Sequence, residues 1–260
     1  MRASLLRTER LDVAIGELRI ARDLDLAVAP GDTWAVLGRN GAGKSTLLAT
    51  LAGLRPPQAG RLEVGGIDAP HAAQGLAARD LARCRGFLAQ QQIDPFASTV
   101  METVLVGRHP HLGRWDWETA EDRRLAAKAL GEVDLEGFAE RDVHTLSGGE
   151  RQRLAIALLL ALQPGLYLLD EPLTHLDLSH QVATMELLAR RAQAGDAVVA
   201  VLHDPGFAAR YCNQALLLFG DGAWEAGPVD RIVTAENLAR LYGHPLRELR
   251  SEGGRWFVPG

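Results

Sequence analysis

The chain has 260 residues, 47% hydrophobic and 23% charged, with a net charge of −5 and an isoelectric point near 5.9. That is enough for one large domain with a sizeable core, and the acidic balance argues against nucleic acid as a partner. Two cysteines, Cys84 and Cys212, without a CxxC spacing, argue against a disulfide framework or metal site and for free thiols in a reducing compartment.

In the N-terminal stretch "MRASLLRTERLDVAIG", Arg7, Glu9, Arg10 and Asp12 break any apolar run, so no signal peptide is expected. "LDLAVAP" (24–30) alternates apolar and polar residues and predicts a strand closed by the Pro30-Gly31 turn. "TWAVLG" (33–38) predicts a short buried strand, followed by a glycine-rich turn and a helix over "KSTLLATLAGL" (44–54). "GRLEVGG" (60–66) predicts a further strand. From about 74 to 140 polar helical stretches dominate, among them 118–133, with "HPHLGRWDW" (109–117) as a loop. This predicts an inserted, mostly helical lobe. The longest apolar run, "LAIALLLAL" (154–162), is too short to cross a bilayer. "LYLLDE" (166–171) and "AVVAVLHD" (197–204) suit strands buried on both faces of a parallel sheet, with a helix over 179–193 crossing between them. The last part, about 215–260, predicts a small strand-plus-helix extension. The expectation is a soluble cytoplasmic chain that reaches a membrane only through another protein.

"GRNGAGKST" (38–46) fits G-x-x-x-x-G-K-[ST] behind a strand and before a helix. Gly38, Gly41 and Gly43 let the loop turn its N–H groups inward around a phosphate, and the helix adds its positive end. The loop residues Arg39, Asn40, Ala42 and Thr46 belong to the same cradle. Lys44 supplies a mobile charge for the β- and γ-phosphates, and the Ser45 hydroxyl suits Mg²⁺. Asp170 and Glu171 end a buried strand, and neighbouring strand residues face opposite ways, so their roles differ. Asp170 suits Mg²⁺, and Glu171 suits an attacking water. His203 closes the next apolar run, and a place beside "LYLLD" would turn it to the same γ-phosphate.

"LSGGERQR" (146–153) reads locally as a capping box, Ser147 with Glu150 three residues on. A cap alone does not require Gly148 and Gly149, and two bare glycines suggest that something approaches the backbone closely. With no second lysine-bearing loop beside it, this is half of a site.

Taken together and in this order, "GRNGAGKST", Gln90 in "GFLAQ", "LSGGERQR", "LYLLDEP", "THLD" and "VLHD" resemble the ATP-binding cassette (ABC) ATPases along essentially the whole chain. The resemblance implies an α/β P-loop NTPase fold: a mixed sheet core, an antiparallel β subdomain and an inserted helical subdomain. It implies a head-to-tail dimer with two ATPs, each between one chain's P-loop and the other's "LSGGE". It further implies that Gln90 contacts Mg²⁺ and couples the helical lobe to the site. Asp177 would contact the opposing subunit, Glu171 would be the catalytic base and His203 the γ-phosphate switch. "TVMETVLVGRHPHLG" (99–113) resembles the ATPases of iron–siderophore, haem and vitamin B12 importers. "FLAQQQIDPFAS" (87–98) and the tail 236–258 resemble most the ATPase of the vitamin B12 importer. The partners so implied are transmembrane permease subunits and, through them, a periplasmic binding protein, with the chain on the cytoplasmic face of the inner membrane.

One departure is the absence of the aromatic residue that the family stacks on adenine. Ile15 stands there, and looser base discrimination is expected. Non-transport ABC proteins of DNA repair or translation carry long coiled-coil insertions or paired cassettes, which this chain lacks. A small-molecule P-loop kinase would not carry "LSGGERQR". His109 and His111 alone do not make a metal site. Trp115 and Trp117 are candidates either for a membrane partner or for burial in the lobe.

Overall fold

A computed structural model describes residues 4–69, 75–90, 97–113, 115–252 and 254–260. The expected lobe start at Gln74, residues 91–96 of the stretch 87–98, Arg114 and Gly253 lie outside them. The strands, in chain order, are β1 (Leu6–Ile15), β2 (Leu18–Leu24), β3 (Ala27–Val28), β4 (Thr33–Gly38), β5 (Ala59–Val64), β6 (Ile67–Asp68), β7 (Arg85–Leu88), β8 (Leu166–Asp170), β9 (Ala197–Val201), β10 (Gln214–Leu218), β11 (Trp224–Pro228), β12 (Leu246–Ser251) and β13 (Gly254–Pro259). The α-helices are α1 (Lys44–Leu51), α2 (Gly75–Cys84), α3 (Val100–Leu105), α4 (Ala120–Gly131), α5 (Gly148–Leu162), α6 (Leu178–Gln193), α7 (Pro205–Tyr211), α8 (Val229–Ile232) and α9 (Ala235–Tyr242).

The central sheet runs β11-β10-β4-β9-β8-β7, parallel except for β11 at one edge. β4, β8 and β9 are buried at every residue, as continuous apolar runs require when both faces of a sheet are covered. The period of two divides their side chains between two cores. Ala35, Leu37, Tyr167, Leu169, Val198, Ala200, Ala215 and Leu217 join the core shared with α3, α4 and α5. Trp34, Val36, Leu166, Leu168, Val199, Val201, Leu216 and Leu218 join the core built with α1 and the antiparallel strands. That second layer is a sheet of order β2-β1-β5-β6, with β3 paired to β1.

The strand expected over 24–30 shrinks to the two residues of β3. The cause is Thr8. Its hydroxyl donates to the Leu24 carbonyl at 2.7 Å and accepts from the Leu26 N–H at 2.9 Å, so a side chain takes the bonds a ladder would have used. The stretch 74–140 holds α2, α3 and α4, and between them β7, the outer strand of the parallel sheet. The first three residues of the loop expected at 109–117 belong instead to a 3-10 helix, Val106–His111. Its buried Arg108 pairs with Asp122 of α4 at 2.8 Å and donates to the Ala161 carbonyl of α5 at 2.9 Å. The His111 ring sits 2.8 Å from the Leu162 carbonyl, and Arg83 donates to the Pro110 carbonyl at 2.6 Å. Three helices are thus tied at one short segment. Trp115 and Trp117, beyond it, are each 85% exposed, which removes the burial alternative. In the C-terminal part, β10 pairs with β4 inside the central sheet, while β12 and β13 form a separate antiparallel hairpin.

Candidate nucleotide site

Parallel strands place their carboxyl ends on one edge, and here that edge collects the predicted residues. The register sets Val36 against Val201, Asp170 against Val201, and Leu88 against Leu169. So the loop after Gly38, the Asp170-Glu171 pair, His203 two residues past β9 and Gln90 two residues past β7 all leave the sheet on the same side.

Of the three glycines expected to shape the loop 38–46, two take the left-handed region, while Gly38 does not and is instead packed against the Leu218 carbonyl of β10. Gly41 has φ 81° and Gly43 has φ 89°, both left-handed. A Cβ on Gly43 would collide with the Ile20 side chain, so β2 packs directly on the loop there. Arg39, Asn40 and Gly41 are exposed, Gly43, Ser45 and Thr46 are half-buried, and Ala42 and Lys44 are buried. The Lys44 ammonium donates to the carbonyls of Gly38 at 2.9 Å and Arg39 at 3.0 Å, which holds the charge at the mouth of the cradle. Burial lowers its pKa, and the nearby Glu171 and Asp170 pull the other way.

Asp170 is 3% exposed, and burial raises its pKa while the Ser45 hydroxyl, Lys44 and His203 oppose that rise. Its Oδ1 is buried without a hydrogen-bond partner. Glu171 follows with φ 52°, an uncommon backbone state for a non-glycine residue. Its carboxylate lies 2.8 Å from His203 Nε2 and 3.4 Å from the Thr174 hydroxyl. Glu171 is largely covered and His203 about half exposed. Gln90 is exposed at the end of β7.

Ser147 caps α5 as expected. Its hydroxyl accepts from the Glu150 N–H at 3.2 Å, and the Glu150 carboxylate accepts from the Ser147 N–H at 2.7 Å. That backbone bond is the main cause of the lowered Glu150 pKa. The two glycines have different reasons. A Cβ on Gly149 would stand 3.0 Å from the His175 carbonyl, so this chain's own backbone explains that glycine. A Cβ on Gly148 would make only ordinary contacts at 3.5 Å, and Gly148 and Ser147 face solvent. Asp177 caps α6, accepting from the His180 N–H at 2.9 Å, the Ser179 hydroxyl at 2.8 Å and the His180 ring, which together hold its pKa well below the usual carboxylate range.

Two residues went unnoticed in the sequence. Gln152 donates to the Pro172 carbonyl at 3.0 Å, fastening α5 to the segment after Glu171, and Thr174 orients Glu171 itself. Both lie inside quoted motifs, but neither type carries a spacing signal of its own. No group of three or more metal-binding side chains occurs among the described residues. His109 instead lies 3.8 Å from Glu118.

The ABC transporter family profile matches residues 21–174. The chain is 38% identical to the ferric enterobactin transport ATP-binding protein of Escherichia coli, over 92% of this chain and 87% of that one. It is 40% identical to the hemin import ATP-binding protein of Nocardia farcinica, over 96% and 84%. Among solved structures, an inward-facing metal-chelate type ABC transporter superposes with a TM-score of 0.84 at 32% identity, covering 99% of this chain and 98% of that one. A dimeric ATP-binding cassette in a post-hydrolysis state with ADP and Pi superposes at 0.75 with 27% identity, over 86% and 98%. The chain therefore belongs to the ATP-binding proteins of the ABC transporter family.

Proposed function

We propose that this chain is the ATP-hydrolysing subunit of an importer for a metal chelate of the iron–siderophore, haem or vitamin B12 class, acting on a separate membrane permease. The class rests on the relatives, whose names include ferric enterobactin, hemin, cobalamin and iron(3+)-hydroxamate import. No described helix is long and apolar enough to cross a membrane, which fits a peripheral subunit on the cytoplasmic face, served from outside by a periplasmic binding protein.

The observation that carries the chemistry is the Glu171–His203 contact at 2.8 Å, on the edge where Lys44 and Asp170 also sit. Glu171 takes a proton from the attacking water as its oxygen bonds to the γ-phosphorus. The bond from that phosphorus to the β–γ bridging oxygen breaks, and ADP and phosphate leave. His203 orients the Glu171 carboxylate and reaches the γ-phosphate region. Lys44 leaves its loop carbonyls for the phosphates, and the loop N–H groups from Gly38 to Thr46 cradle them.

Mg²⁺ fits the residues present. The buried, partnerless Asp170 Oδ1 is an oxygen donor that a cation satisfies, and Ser45 and Gln90 complete a hard-oxygen set. Bound with ATP, the ion neutralises charge on the β- and γ-phosphates.

Ser147, Gly148, Glu150 and Asp177 serve a second copy. The solvent-facing Ser147 and Gly148 lend their helix start to the partner's γ-phosphate, while Asp177 meets the opposing chain. Replacing Glu171 by Gln tests the reading. Turnover should fall by about 10²- to 10⁴-fold while nucleotide binding persists. Hydrolysis at the wild-type rate would remove Glu171 as the base.

A further inference from the structure

The described chain has few large exposed apolar side chains, and three of them converge on one place. Leu178, the first residue of α6 and the neighbour of Asp177, is 69% exposed. Trp256 of β13 is 42% exposed, and its cross-strand partner Leu249 is 52% exposed. Directly opposed strand residues project to the same face, so Leu249 and Trp256 present a joint apolar surface on the hairpin. Between the hairpin and the starts of α6 and α7 runs a groove floored by Leu178, Val182, Phe207, Tyr211 and Trp256. Asp204 and Arg210 flank it.

The hairpin that builds one wall is firmly held. Arg255 pairs with Glu248 at 2.8 Å and Asp230 at 2.9 Å and donates to the Val233 carbonyl at 2.6 Å. The groove is therefore a preformed surface. An isolated exposed leucine needs no explanation, but a preformed apolar groove lined by exposed Leu178 and Trp256, with Leu249 beside it on the hairpin, does.

We propose that this groove and the outer face of the β12–β13 hairpin are a contact between two copies of this chain. Two observations select a second copy as the occupant. The groove is continuous with the Asp177 segment, since Leu178 follows it, and that segment faces the opposing copy in the shared-site reading on which this inference rests. Its charges also suit self-association. A two-fold contact sets a patch against itself, which requires both signs of charge on one patch, and Asp204 and Arg210 supply them around an apolar floor. The hairpin thus adds a contact between the copies outside the nucleotide sites, at positions where each truncation counts twice per dimer.

The test uses the full chain carrying Glu171→Gln, with dimer mass measured by light scattering against protein concentration in saturating MgATP. Two added substitutions on different elements, Trp256→Ala and Leu178→Ala, are each compared with that parent, with circular dichroism and fluorescent-nucleotide binding as controls for folding and for the P-loop. The inference predicts normal folding and nucleotide binding, with a dimer dissociation constant raised roughly tenfold or more by each substitution. An unchanged constant in both variants would overturn it while leaving the shared-site reading intact. A parent that stays monomeric in MgATP would overturn the shared-site reading, and this contact with it.

Discussion

At the scale of single residues, the site is a set of carboxylates and hydroxyls whose environments set their roles. Asp170 and Glu171 are adjacent, yet one is buried with a partnerless oxygen and the other faces His203, and Glu171 leaves the strand with a left-handed backbone. The motif order was legible because each motif joins a residue type to a fixed backbone geometry. The pairing of Glu171 with Thr174 and His203 was not, since it depends on how a turn folds back. Ile15 belongs to this scale. It is 44% exposed, pairs with Leu18 across the hairpin, and Leu18 packs with the same core as Ile20, the residue that presses on Gly43. An aliphatic ledge therefore lies where a stacking ring is expected. The specificity constants for ATP and GTP hydrolysis should be similar in the wild type. Ile15→Tyr should tighten ATP binding at least about fivefold, measured by fluorescent-nucleotide competition. A strong native preference for ATP, or no gain from tyrosine, would contradict this.

Elements explain why the helix start at Ser147 is held where it is. α5 is apolar on nearly all faces from Leu154 to Leu162 and is buried accordingly. Its C-terminal carbonyls are taken by Arg108 and His111, and its first turn is braced by Gln152 on Pro172 and by Gly149 under His175. The sequence marked 106–108 only through the family resemblance over 99–113 and gave 109–111 as the start of a loop, because an arginine that reaches both α4 and α5 leaves no periodic trace. Asp122, the arginine's partner, is held down to about pH 2 by the Thr119 hydroxyl, by Arg108 and by the Thr119 N–H. Its folded pKa lies below the ordinary value of 3.8, so its contribution is fully present above about pH 4 and is lost as pH falls toward 2. Asp122→Asn should therefore lower the melting temperature at pH 6 and converge with the wild type in strong acid. A constant gap between the two melting curves from pH 6 to pH 2.5 would refute that assignment.

For the whole molecule, the fold class was legible because five- to six-residue apolar runs such as Thr33–Gly38 and Leu166–Asp170 are too short for helices and join a strand–P-loop–helix unit, whereas the longer run 154–162 is a buried helix. The division of those strands into two cores follows from the same period of two. The sequence treats Gly148 and Gly149 alike, and the structure divides them: Gly149 serves its own chain, and Gly148 with Ser147 faces outward. In the proposed shared-site reading, the unit of function is a pair of chains, each completing the other's site. Ser147→Arg tests this most directly, with folding, nucleotide affinity and hydrolysis rate measured on one preparation. Losing only a helix cap would cost about 1 kcal/mol of stability and spare turnover. The shared site predicts near-normal folding, wild-type nucleotide affinity at the intact P-loop, and loss of hydrolysis. Hydrolysis at the wild-type rate would contradict it.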